Sequence, residues 1–180
     1  MPRAISNKNV ADAKFNPAPF DGPFKASLGC PELKGSWLIF GKSGSGKTTF
    51  ALQLAKYLTR FVDKVAFDSL EQGLSLSMQK AWKRVDMEEA GSKVIFLDKE
   101  PLPELRDRLS KRKSPNVVVI DSVICLVGMR LADYQKLMND YPDKLFIFLA
   151  HEDDRGNPWP ALAEKIRKLS DIKMRVEGYK

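Results

Sequence analysis

The residues with the most chemical content lie in one run, Gly41-Lys42-Ser43-Gly44-Ser45-Gly46-Lys47-Thr48. It follows the apolar stretch Trp37-Leu38-Ile39-Phe40 and opens a segment in which Phe50, Ala51, Leu54, Ala55, Leu58 and Phe61 recur at helical spacing. Strand, glycine loop and helix in that order are what a phosphate-binding P-loop needs. Gly41, Gly44 and Gly46 admit backbone conformations closed to other residues, so successive N–H groups can turn inward around an anion. The positive end of the following helix reinforces that field. Lys47 then reaches the β- and γ-phosphates as a point charge, and the Thr48 hydroxyl is placed to hold Mg²⁺. With Thr49, the run is read as a nucleoside-triphosphate site.

A hydrolytic site also needs carboxylates. Asn116-Val117-Val118-Val119-Ile120-Asp121-Ser122 is an apolar run ending in one, which reads as a strand buried on both faces. Asp121 then lies at the carboxyl edge of the sheet, where open α/β folds bind ligands, and is expected to join Thr48 in the Mg²⁺ shell. The plainer alternative is a turn former. Ser122 follows it where many ATPases place a catalytic Glu, so the base must come from elsewhere. Glu71, just past a strand at residues 64–68, is the candidate to orient and deprotonate an attacking water. Its alternative is a first-turn Glu favoured by the helix dipole.

His151 is the one histidine and follows a strand ending at Ala150. It reads either as a sensor hydrogen-bonded to the γ-phosphate or as a strand-end ring with its own partner. Lys173 and Arg175 alternate on one face of a final strand. They are either edge cations that block aggregation or a finger reaching a neighbouring subunit's γ-phosphate.

The elements that must position these groups follow from the pattern. Short apolar strands are expected at 37–40, 64–68, 94–97, 116–122, 145–150 and 172–176. Helices are expected from the P-loop to Phe61, over 75–85 with Leu76, Met78, Ala81, Trp82 and Val85 inward, from Pro101 and Pro103 to about Lys113, over 131–140 and over 161–169. Residues 86–92 read as a turn and 151–158 as a polar loop. Strands alternating with helices indicate an α/β fold with a mainly parallel sheet covered on both faces. Residues 1–34, with Pro2, Pro17, Pro19, Pro23 and Pro31, read as an extended arm, and 35–180 as the ATPase domain. The basic end of the third helix, Arg106, Arg108, Lys111, Arg112 and Lys113, suits the helix dipole or a nucleic acid.

The chain has 180 residues, 43% of them apolar, which is one domain with a substantial core. Thirty Lys and Arg against twenty-three Asp and Glu leave a formal charge of +7, which permits a polyanionic partner. Two cysteines, Cys30 and Cys125, imply no disulfide framework. The polar first fourteen residues and the lack of a membrane-length apolar run lead to the expectation of a cytoplasmic protein without a membrane partner.

Taken together, the Gly-rich loop, Ser69-Leu70-Glu71, Ile120-Asp121-Ser122, the polar residue after Ala150 and the closing Asp171-Ile172-Lys173-Met174-Arg175-Val176-Glu177-Gly178 resemble the RecA-like ATPases, over roughly residues 36–179. Within them the chain looks most like small RecA-fold ATPases of phages, plasmids and other mobile elements. The resemblance implies a three-layer α/β/α fold in which the P-loop strand is flanked by the sensor strand and the last strand. It implies ATP and Mg²⁺, with Glu71 as catalytic base, His151 or Glu152 as sensor, and Lys173 with Arg175 acting in trans. It implies a homo-oligomeric ring or filament, DNA as partner with single strands preferred, and a role in replication, recombination or repair. Residues 152–160 would then be the DNA-contacting loop, although Glu152, Asp153 and Asp154 oppose phosphate there while Arg155 and Trp159 suit it. Two rivals share the loop: a small-molecule kinase, for which the Arg-rich lid is missing, and a module in which nucleotide switches assembly with little turnover.

Overall fold

The structure, a computed structural model, describes residues 4–178. Pro2 and Tyr179, the latter closing the expected likeness, lie outside the described residues. The chain divides into two compact units that meet in sequence at Leu33 and Lys34.

The first unit is not extended throughout, as its prolines led us to expect. It holds two short helices, α1 (Asn7–Ala11) and α2 (Gly22–Leu28). Ser6 caps the first, its hydroxyl accepting from the Asn9 N–H at 3.2 Å. Pro23 sits in the first turn of the second, where no N–H is required, and Gly29 ends it at φ 69°.

The second unit is a seven-stranded sheet with the order β3-β2-β4-β5-β1-β7, and β6 appended to β5. Its strands are β1 (Gly35–Gly41), β2 (Val65–Ser69), β3 (Val94–Leu97), β4 (Val117–Asp121), β5 (Leu145–Glu152), β6 (Pro158–Trp159) and β7 (Ile172–Arg175). All pairs are parallel except β5 with β6. The expected neighbours of the P-loop strand are present: β1 lies between β5 and β7.

Side-chain alternation builds the three layers. Leu38, Phe40, Val118, Ile120, Phe146 and Phe148 point to a core closed by Leu105 and Leu109 of α5 (Leu102–Ser110), Tyr134 and Leu137 of α6 (Leu131–Asp140), and Ala163 and Ile166 of α7 (Ala161–Leu169). The intervening residues Trp37, Ile39, Val117, Val119, Leu145, Ile147 and Leu149 are equally buried on the other side. There α3 (Lys47–Leu58) packs on β1, β2 and β4. Beside it, α4 (Leu76–Arg84) brings Trp82 edge-on to Phe67 and Phe96.

Several boundaries differ from the sequence reading. The P-loop helix ends at Leu58 and not at Phe61, passing into tighter turns in which Arg60 and Phe61 donate to Tyr57 and Leu58. Residues 87–93 wind into a 3₁₀ stretch rather than a plain turn. Leu76, expected inward, is exposed, because it stands at the first position of α4 before the helix meets the sheet. The third helix stops at Ser110, so Lys111 to Lys113 lie past its end, and Lys113 turns the chain at φ 62°. Arg106 is paired with Asp140 and Arg108 with Glu100; of the five basic residues, Arg108 remains in the last turn of the helix. The expected loop after Ala150 is a hairpin: β5 runs on to Glu152 and β6 returns along it.

Candidate active site

The parallel strands bring their carboxyl ends to one edge in register. Gly41 of β1 pairs with His151 of β5, Ser69 of β2 with Asp121 of β4, and Phe40 with Arg175 of β7. Because β5 lies between β1 and β4, His151 stands between the P-loop and Asp121. Residues more than a hundred positions apart in sequence thus share one cleft of about 440 Å³, lined by the P-loop, Glu71, Asp121, His151 and one face of α4.

Within the loop, Gly44 and Gly46 adopt φ 74° and 93°, the left-handed region that a side chain disfavours. Gly41 is required for a different reason: a Cβ there would run into the Val176 carbonyl and approach Ser45 Oγ at 2.9 Å. Lys47 is buried and donates to the carbonyls of Gly41 at 3.0 Å and Lys42 at 2.7 Å. Burial pulls its pKa down, and the carboxylates of Asp121, Glu71 and Glu152 work against that pull. Ser45 Oγ is buried with no hydrogen-bond partner among the described residues. An orphaned buried hydroxyl in a glycine-rich loop that opens a helix fits an anion bound there.

Thr48 Oγ1 donates to Asp121 Oδ2 at 2.9 Å. Asp121 is almost fully buried, which lifts its carboxyl to about 6 despite the Thr48 hydroxyl; the charge of Glu71 pushes the same way and that of Lys47 opposes it. A hydroxyl and a carboxylate on the phosphate side of the cleft are hard oxygen donors, the set that Mg²⁺ prefers. The residues therefore fit the metal that the sequence implied.

Glu71 is positioned by the turn after β2. Its N–H donates to the Asp121 carbonyl at 2.9 Å, and Gly73, at φ 61°, closes the turn with its N–H on Ser69 O at 3.0 Å. Its Oε2 accepts from Ser122 Oγ at 2.8 Å and lies 3.0 Å from His151 Nε2. Burial pushes the carboxyl up, yet the Ser122 and His151 hydrogen bonds and the charges of His151 and Lys47 together hold it below its ordinary value. Ser122, in the place where many ATPases carry a Glu, thus serves the Glu supplied by the turn after β2. His151 is brought to that carboxylate.

Lys173 and Arg175 are set apart from this group. They share the exposed face of edge strand β7, and Arg175 is held by its own chain: Nε and Nη2 donate to Glu152 at 2.9 and 2.8 Å, and Nη1 pairs with Glu177 at 2.6 Å. That guanidinium holds the Glu152 carboxyl below the usual carboxylate range. Sequence reasoning missed two cleft residues, Lys80 and Arg84 of α4. The available signal was their spacing of four on the helix face opposite Met78, Trp82 and Val85, which by itself reads as a solvated stripe.

No family model matches the chain. A DNA repair and recombination protein RadB from Methanosphaera stadtmanae is 29% identical over 102 residues, a match covering 53% of this chain and 44% of RadB. The chain therefore aligns with less than half of that relative. Among solved structures, the flagellar accessory protein FlaH of Methanocaldococcus jannaschii superposes with a TM-score of 0.61 at 14% identity, covering 86% of this chain and 76% of FlaH. A KaiC-like protein of Pyrococcus horikoshii gives a TM-score of 0.55 at 20% identity, with 85% of this chain and 77% of that protein covered.

Proposed function

Since this chain has a RecA-like P-loop ATPase fold, we propose that it binds ATP with Mg²⁺ and hydrolyses it in a process acting on DNA. The observation that carries the reading is the convergence of Lys47, Thr48 with Asp121, and Glu71 with Ser122 and His151 on one cleft. Lys47 and the loop amides take the phosphates. A Mg²⁺ ion held by Thr48 and Asp121 would neutralise charge on the phosphate oxygens. Glu71, kept ionised by its two partners, accepts a proton from the attacking water. The water oxygen bonds to the γ-phosphorus, the bond to the bridging oxygen breaks, and ADP and phosphate leave. His151 and Ser122 hold the base in place during the proton transfer. His151 also ties the site to the β5–β6 hairpin, so the state of the γ-phosphate can be relayed there.

The link to DNA rests on the match to RadB, a DNA repair and recombination protein. The net charge of +7 is compatible with a polyanion. A ring or filament, with Lys173 and Arg175 reaching a neighbour's nucleotide, belongs to the same reading. Steady-state ATP hydrolysis with and without single-stranded DNA, at two salt concentrations, tests it. Stimulation that weakens with salt is the expected result. Turnover indifferent to DNA would leave the ATPase and remove the nucleic acid. Absence of turnover would remove the hydrolase.

A further inference from the structure

The cleft has a wall that no motif accounts for. On α4, Ser77, Lys80, Ala81 and Arg84 form one face, and that face lines the same cavity as Ser43, Gly44, Lys47 and Thr49. The opposite face of the helix is spent on packing: Met78 and Val85 are buried, and Trp82 lies against Phe67 and Phe96. The helix is therefore locked by its apolar side, and its cations have no freedom to face elsewhere by rotation. Lys56, on α3, fastens its end by donating to the Val85 carbonyl at 3.0 Å.

Lys80 and Arg84 are exposed, and neither makes a hydrogen bond or ion pair among the described residues. Lys47, Arg175 and Arg108 are engaged, with loop carbonyls, with Glu152 and Glu177, and with Glu100; Lys42 and Lys173 are exposed and unpaired among the described residues, but they do not line this cavity. The charge of the cleft also favours them. Among the ionisable side chains of the lining, Lys47 alone stands against Glu71 and Asp121, with the loop amides adding positive field of their own. With Lys80 and Arg84 counted, the fixed charges of the lining turn positive.

We propose that Lys80 and Arg84 bind the phosphate chain of the nucleotide from the wall facing the P-loop, as cations supplied by the same subunit. This rests on the P-loop reading above and adds to it a second, intrasubunit source of positive charge, independent of Lys173 and Arg175. Arg84 offers a planar fork that can take two phosphate oxygens, and Lys80 a mobile point charge one helical turn closer to the N-terminus of α4.

The test is a binding titration of ATP and of inorganic tripolyphosphate, both with Mg²⁺, to the wild-type chain and to K80A/R84A, K83A and K47A. Lys83 lies on the same helix but outside the cavity, so K83A removes a like charge without the contact. Alanine keeps α4 helical, and matched far-ultraviolet spectra and melting temperatures verify folding. The expected result is a loss of about tenfold in affinity for both ligands in K80A/R84A, steeper at low salt, with K83A near wild type. Unchanged affinity in K80A/R84A beside lost affinity in K47A overturns the proposal and leaves the P-loop site standing. So does an equal loss in K83A, which marks a general field, or a loss for ATP without one for tripolyphosphate, which places the contact on ribose or base. If K47A binds as the wild type does, the P-loop reading itself fails and this proposal falls with it.

Discussion

On the P-loop side of the cleft the cation, Lys47, is buried and spends its donors on the carbonyls of its own loop. On the β7 side Arg175 stands in solvent and is gripped by two carboxylates of its own chain. The first arrangement is completed by local sequence. Loop, strand and helix are contiguous, so the site forms whenever that unit forms. The second depends on a hairpin residue, Glu152, meeting a strand residue twenty-three positions later. A cation already paired within its own chain must give up that pair before it can serve a neighbour, and the exchange has a cost, because the Glu152 side chain it leaves is almost fully buried while Arg175 itself is half exposed. The P-loop side is thus preformed, and the β7 side can serve a neighbour only by exchanging partners.

The largest effect should come from the preformed side. Lys47→Ala removes the charge at the centre of the loop and should cut kcat/KM for ATP by about 10²-fold or more. A smaller loss would mean that the α4 cations carry most of the binding. Glu71→Gln comes next: turnover should fall by about 10²-fold while ATP affinity stays near wild type, since the amide keeps the shape and loses the base. Equal losses in kcat and affinity would instead make Glu71 a binding residue.

Glu152→Gln addresses the exchangeable side. Freed from its strongest partner, Arg175 should raise turnover about threefold at high protein concentration and leave dilute protein unchanged, because the gain requires a neighbour. A rate independent of protein concentration in both proteins would break the idea of a trans role.

The smallest effect on turnover should come from Asp68, at the end of β2 but outside the cleft. It is buried, accepts from the Glu100 N–H at 3.1 Å with one oxygen, and has no partner for the other among the described residues. Burial lifts its carboxyl from 3.8 to about 7. Between those values the folded chain binds more protons than the unfolded one, so this group costs stability as pH rises through that window. Asp68→Asn should therefore raise the melting temperature at pH 8 and change it little near pH 4, with turnover unaltered. A gain at low pH instead would reverse the sign of the argument.

Much of the fold was legible because its signals are local. The alternation of short apolar runs with amphipathic stretches located six of the seven strands, all but β6, and the bounds of α6 and α7 agree with the pattern at both ends. The misses have local causes too. Ser6 and Pro23 start helices in a segment judged by its proline content, and the run Ala150-His151-Glu152 reads as polar although it continues β5 and pairs with Pro158 and Trp159. In the site, the P-loop and Asp121 were legible from residue type and position. The partnership of Glu71 with Ser122 was not, since Ser122 was noticed only for failing to be a Glu.

By itself the sequence determined where the glycine loop lies between strand and helix, which residues form it, and which strand ends in the acid that meets it. These are properties of contiguous chain: glycines where the backbone must turn, an apolar run to anchor it, and a helix to follow. Only the tertiary structure decided that β4 pairs with the far side of β5, which brings His151 to Glu71, that Arg175 answers to Glu152, and that Lys80 and Arg84 line the cleft. Strand order and helix rotation are set by how apolar faces pack over the whole sheet, a sum over distant residues that no single stretch contains.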